Sequence, residues 1–316
     1  MANMTQESLR IFRRMTHASS TNSRTWAYMV VFLGFVIGSG GPVLIRLAQS
    51  EGMSSLAIVA GRQIISLLVL TPLVLSRYRH ELRQLSRRNL LFAALAGTIM
   101  AARFVVMFEA FNNTSVLIAG VFNGSSPLWV ALIEVLILKA VFSRNMWLGI
   151  FLAIVGGVVI ALAGFDGGTS LGNNPALGAI YALLASFLSA FYLNFGRVAR
   201  GHISFWPYLW LIFVFATITS VIAMIATQTP FTGYTPEAYM WLIILTITAQ
   251  LIAHGAMNYA LAYVSATFVS LAAQSTTILS AILAYMTFGE LPTVLQVVGS
   301  VIVIFGVSIV TLRDSS

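Results

Sequence analysis

The chain has no cysteine, which removes disulfides and thiol chemistry from its repertoire. Charge is almost as scarce: 8% of its 316 residues are Asp, Glu, Lys or Arg, against 59% hydrophobic residues and a mean hydropathy of +0.91. So little polar surface cannot cover a soluble fold of this size, and lipid must be the solvent. No Walker sequence and no metal-binding His/Cys cluster occurs, so neither an ATP-driven engine nor any cofactor is expected. A further absence is positional. Of the 17 lysines and arginines, all but Arg46, Arg62 and Arg103 fall in alternate connections between the apolar runs. They precede the first run, or follow the second (Arg77 to Arg88), the fourth (Lys139, Arg144), the sixth (Arg197, Arg200) and the last (Arg313). The intervening connections have none and carry Glu51, Asp166, Glu237 and Glu290 instead. Cytoplasmic loops retain Lys and Arg while exported loops lack them, so both termini are expected in the cytoplasm. The net charge of +8 is then explained by loops facing anionic headgroups, and no nucleic-acid partner is expected.

What the chain does have is a series of apolar runs, each near the roughly 20 residues that a membrane helix needs. They cover 26–48, 54–75, 90–109, 115–137, 146–164, 175–196, 205–227, 238–256, 259–286 and 292–312. The runs are too long for strands and show no alternation. The expected fold is an all-α membrane protein with ten transmembrane helices. Residues 1–25 are polar and basic, without an apolar core of their own, and read as a cytoplasmic segment rather than a cleaved signal. The rest repeats itself: Leu91–Ile160 lies on Trp241–Val310 without a gap, pairing Thr98 with Thr248, Met107 with Met257, Ser115 with Ser265, Ser125 with Ser275, Gly149 with Gly299 and Gly156 with Gly306. The first repeat is expected over 26–164 and the second over 175–312. Each holds five spans, an odd number, so the second copy enters from the opposite side. Inverted repeats place a site near the midplane between halves that exchange roles in facing in and out.

Polar groups inside the spans are the candidates for that site, because burying them in lipid is costly. Arg103 has the strongest claim on a substrate carboxylate, since a guanidinium offers bidentate donors in low dielectric. Arg62 stands between the same role and pairing with Glu51 or Glu109, and Arg46 reads as an interface anchor. Glu109 is expected to pair with Arg103 or Arg62 rather than to meet substrate. His254 is either hydrogen-bonded within the bundle or a titratable group facing the cavity. Two polar clusters occupy matched places in the fourth and ninth spans: Asn123-Gly124-Ser125-Ser126-Pro127 and Gln274-Ser275-Thr276-Thr277. Tyr192, Asn194 and Asn258 add polar groups, and Phe104 and Met107 add an apolar, adaptable wall. Together they suit a zwitterion with an apolar tail. Gly38, Gly40, Gly41 and Pro42 in the first span, and Pro127 in the fourth, are candidate hinges. The GxxxG spacing of Gly34 and Gly38 reads equally as close helix packing.

The second repeat, with Ser265-Ala266-Thr267, Phe288-Gly289-Glu290-Leu291-Pro292, Gln296, Gly299 and Gly306, resembles the C-terminal repeat of the EamA branch of the drug/metabolite transporter superfamily. Gly61-Arg62, the turn from Ala110 to Ser115, Pro127, Gly149 and Gly156 make the first repeat similar. Two positions depart from the pattern: Lys139-Ala140 replaces a glutamate before the fifth span, and Thr277 replaces a proline in the ninth. The resemblance implies alternating-access transport of small metabolites in a bacterial inner membrane. It is nearest to exporters of amino acids of the YddG kind, including those for aromatic amino acids, working as monomer or homodimer among membrane lipid. The absence of an acid deep in the spans favours facilitated movement, with His254-dependent proton antiport as the alternative. An intramembrane lipid-modifying enzyme is the non-transport alternative, disfavoured because acids and histidines are scattered.

Overall fold

The computed structural model describes residues 26–126, 174–263, 274–289 and 294–313, with isolated positions among 128–159 and at 269, 291 and 293. Among the described residues all regular structure is helical. The elements are α1 (Trp26–Ser50), α2 (Ser55–Arg77), a short α3 (Arg79–Gln84), α4 (Arg87–Asn113), α5 (Val116–Asn123), α6 (Pro175–Arg200), α7 (Phe205–Ala226), α8 (Pro236–Ala260), α9 (Gln274–Phe288) and α10 (Val294–Arg313). Six of these, α1, α2, α4, α6, α7 and α8, are 22 to 27 residues long and apolar enough to cross a membrane. At about 1.5 Å per residue they reach roughly 33 to 40 Å, enough for a hydrocarbon core of about 30 Å.

Capping residues set where the helices start. Ser54, Ser86, Ser115, Asn174 and Thr235 each accept a hydrogen bond from the backbone N–H three residues on, satisfying a donor that the first turn leaves free. These caps carry α4 beyond the expected 90–109, to Arg87–Asn113, and start α8 at Pro236 rather than 238. Two other expectations are corrected. Residues 259 and 260 belong to α8, not to the ninth span, because the bonds tighten to three-residue spacing at Ala262→Tyr259 and Tyr263→Ala260 and turn the chain. The fourth span is not one helix over 115–137: α5 closes at Asn123 and a turn follows at Gly124 and Ser125. Most of the fifth span, Pro127, and the side chains of Gln274 and Ser275 lie outside the described residues.

The two repeats do not form separate lobes. α4 of the first packs along α6 and α7 of the second, α7 also covers α2, and α8 lies on α1. Small residues make the last contact close: a Cβ on Gly38 would stand 2.4 Å from Ala253 Cβ, and one on Gly34 2.5 Å from Ala256 Cβ. Side chains there would push the helices apart, so the packing reading of this glycine spacing holds. Large apolar side chains such as Leu68, Ile225 and Met286 point outward, as expected where lipid is the solvent.

Two long helices are irregular at the same depth. α1 is broken by a turn at Ser39 and Gly40, and its second half restarts at Gly41 with Pro42 in the first turn, a place where proline costs no helical bond. Ser280 Oγ of α9 donates to the Ser39 carbonyl at 2.6 Å, which the break would otherwise leave unpaired. Opposite it, α8 widens into a π-helical stretch over Thr246–His254. Such segments are rare and recur at functional sites.

Candidate functional site

The two irregularities face one cavity of about 200 Å³. Its walls come from both sides of the α1 break (Phe35, Gly38, Gly41, Pro42), from α2 (Arg62), α4 (Arg103, Phe104, Met107, Phe108, Phe111), α5 and its turn (Gly120, Asn123, Gly124, Ser126), α8 (Ala249, Ala253, His254, Met257) and α9 (Thr276, Ser280). Arg62 sits roughly 10 Å in from the Ser55 end of α2, and Arg103 roughly 15 Å in from the Asn113 end of α4, at about 1.5 Å per residue. Both guanidiniums are therefore well inside the hydrocarbon zone.

Their surroundings are unusual for buried charge. Among the described residues neither arginine has a carboxylate partner, Glu109 included, so the expected ion pair with Glu109 is corrected. The partners are aromatic faces instead. The Arg62 guanidinium carbon lies 4.3 Å from the Phe104 ring centre and 5.4 Å from that of Phe108. That of Arg103 lies 4.8 Å from Phe104 and 5.8 Å from Tyr192. Cation–π attraction of this kind is worth about 0.5–2 kcal/mol, far less than the cost of leaving a desolvated charge unpaired. Arg62 also donates to Gln250 Oε1, and Gln250 donates onward to Gln63 Oε1 at 2.9 Å, while the Arg62 Nε has no partner. Arg103, half-buried against the cavity, makes no hydrogen bond among the described residues. Two cations thus converge on an aromatic-walled space with donor capacity left over.

His254 completes the group. Its ring lies 5.4 Å from that of Phe104 and stacks on Tyr192, whose hydroxyl is 2.9 Å from His254 Nε2. The Tyr192 hydroxyl donates to Asn258 Oδ1 at 2.6 Å, and Asn258 Nδ2 donates to the His254 carbonyl at 2.7 Å. Behind this cluster, Arg200 Nε donates to the Asn258 carbonyl at 3.2 Å.

The structure sorts the residues expected at the site. Arg103, Phe104, Met107, Asn123, Ser126 and His254 line the cavity, as do Gly38, Gly41 and Pro42 of the expected hinge. Four others do not. Tyr192 and Asn258 stand one layer behind, fully enclosed, against His254 and, for Tyr192, against Arg103 as well. Asn194 is two residues from Tyr192, hence on the far face of α6, where it donates to Ala190 O. The turn after α5 swings Ser125 toward α6, where its hydroxyl meets Ser186 Oγ at 2.8 Å. Gly40 lies within the α1 turn and lines nothing. Arg46 is no interface anchor: its guanidinium donates to the carbonyls of Phe111 and Thr114, at the end of α4, where a cation complements unpaired carbonyls. Sequence reasoning passed over Phe35, Phe108, Phe111 and Ser280. For two of these a signal existed, since Phe104, Phe108 and Phe111 follow the four-plus-three spacing of one helix face.

A pair of guanidiniums with free donors can bind an oxyanion, and the rings beside them can hold an apolar group. An apolar cavity of about 150 Å³ accommodates a benzene ring, so this one has room for a single small molecule. One protein of known crystal structure superimposes with a TM-score of 0.65 at 16% identity, covering 92% of this chain and 99% of its own, which shows a shared fold. The uncharacterized transporter YdfC of Bacillus subtilis (strain 168) is 24% identical over 196 residues, 62% of this chain, and the chain spans 62% of that relative's length. The sequence profile of EamA-like transporters matches twice, over residues 25–162 and 176–312, and on that match across both repeats the chain belongs to the EamA-like transporter family, within the drug/metabolite transporter superfamily.

Proposed function

We propose that this protein is a transporter that binds one small carboxylate-bearing metabolite, an amino acid above all, in the cavity between its repeats and releases it on the other side of the membrane. The carrying observation is the pair Arg62 and Arg103, two cations at membrane depth without a described carboxylate partner, directed at one aromatic-walled cavity. A charge left unpaired there is expensive unless a ligand completes it. The restart of α1 at Gly41 adds a helix N-terminus at the same wall, with its favourable partial charge for an anion.

The motion proposed is alternating access by ten spans in two inverted repeats, with both termini in the cytoplasm of a bacterial inner membrane. The broken α1 and the turn after α5, both lining the cavity, are the places where helices can bend without losing further backbone bonds. Facilitated export is favoured because no Asp or Glu lines the cavity among the described residues. Counterflow of the twenty amino acids in proteoliposomes tests the reading directly. Exchange of at least one amino acid well above empty liposomes is expected, and exchange of none would remove the substrate class.

A further inference from the structure

The hydrogen bonds around His254 determine which of its two ring nitrogens carries the proton. The His254 backbone carbonyl can only accept. The side-chain atom of Asn258 lying 2.7 Å from it must therefore be the amide nitrogen. The other end of that amide, Oδ1, then faces the Tyr192 hydroxyl at 2.6 Å and can only accept as well. Tyr192 has one proton, and it is spent on Asn258. At 2.9 Å from His254 Nε2, the Tyr192 oxygen is left as acceptor, so Nε2 carries the hydrogen. In a neutral imidazole the lone pair is then on Nδ1. Among the described residues that atom makes no hydrogen bond, and its residue lines the cavity.

We infer that His254 Nδ1 is a hydrogen-bond acceptor for the substrate, and that the site selects a carboxylate carrying an N–H or O–H donor beside it, a 2-amino or 2-hydroxy acid, over the plain carboxylic acid. The inference rests on the carboxylate reading of Arg62 and Arg103. All three groups surround one ring: the two guanidinium carbons lie 4.3 and 4.8 Å from the Phe104 centre and the imidazole centre 5.4 Å from it. A headgroup over Phe104 thus meets two cationic donors and one neutral acceptor. Tyr192 and Asn258 are positioning residues, because they touch no substrate and act by holding the ring in one tautomer and orientation. A plain carboxylic acid would leave Nδ1 facing an apolar group, and sites built to bond a donor reject analogues lacking it.

The test uses three probes with one side chain, L-phenylalanine, 3-phenyllactate and 3-phenylpropionate, titrated calorimetrically into the purified full-length protein. Phenylalanine and phenyllactate are expected to bind at least about tenfold more tightly than phenylpropionate, the loss of one hydrogen bond to a buried acceptor. His254→Phe keeps the ring stack but has no acceptor, and should bring that ratio close to one. Tyr192→Phe frees the tautomer and should reduce the ratio several-fold, whereas a merely structural role would weaken all three probes together and leave it unchanged. The wild-type ratio needs no variant, so the inference stays exposed if either substitution prevents folding. Equal binding of the three probes by wild type, or an unchanged ratio in a folded His254→Phe, would overturn the inference while leaving the carboxylate site standing. Binding of none would overturn the carboxylate reading, and this inference with it.

Discussion

On the proposed reading, Arg103 is the residue on which recognition turns. Among the described residues it makes no hydrogen bond, and its contacts with the Phe104 and Tyr192 rings are worth little, so its guanidinium contributes little to the stability of the fold. Replacing it should therefore separate binding from stability. In Arg103→Ala, substrate affinity is expected to fall by roughly ten- to a hundredfold, the equivalent of about 1.5–3 kcal/mol for a charge-assisted contact, with the protein inserted and monodisperse. Arg103→Lys should recover only part of the loss, because an ammonium lacks the planar fork. Calorimetry read beside size-exclusion chromatography checks this, and full affinity in a well-folded Arg103→Ala would dismiss the role. Arg62 differs in kind: it is bonded to Gln250 and only 2% exposed, so its removal would orphan an amide as well.

At the scale of helices, the cavity is walled by two irregular elements pressed together. α1 and α8 meet through Gly34, Gly38 and Gly41 against Ala256, Ala253 and Ala249. One methyl group is enough to disturb this. Gly38→Ala would set Cβ 2.4 Å from Ala253 Cβ, and overpacking of that sort costs about 1–3 kcal/mol. A lowered thermal midpoint in detergent is expected, restored largely by adding Ala253→Gly, since the second change removes the colliding atom. No loss of stability in the single variant would mean that the helices slide apart cheaply there. The glycine spacing was legible in the sequence because packing at four-residue intervals leaves a periodic trace. The π-helical stretch was not: a change from four- to five-residue bonding leaves the composition of Thr246–His254 ordinary.

For the whole molecule, orientation and energy coupling are the open quantities. The lack of any cysteine makes the first directly measurable, since a single introduced thiol is the only one in the chain. Cysteine at Arg83 or His202 should react with an impermeant maleimide only in inside-out vesicles, and cysteine at the exposed Ser50 or Gln228 only in right-side-out cells. The opposite pattern would invert the topology. For coupling, no acid lines the cavity among the described residues and His254 is its sole imidazole. An imposed pH gradient is accordingly expected to drive no accumulation beyond equilibrium in proteoliposomes. Accumulation that disappears in His254→Ala would instead establish proton antiport.

Sequence alone determined the solvent, the helical class and the repeat, because each of these is a property of local composition or of period: apolar length, the distribution of arginine along the chain, and the return of the same pattern in the second half. It also singled out most of the costly polar groups, since a charge in an apolar run stands out wherever it is. It did not decide which of those groups share a cavity. Asn194 and Tyr192 are two residues apart and point in opposite directions; Ser125 and Ser126 are adjacent and are divided by a turn. Those outcomes depend on helix rotation and on bends at Ser39 and Gly124, which packing between distant segments sets. Only the tertiary structure, by bringing α2, α4 and α8 against one another, placed Arg62, Arg103 and His254 around a single phenylalanine ring.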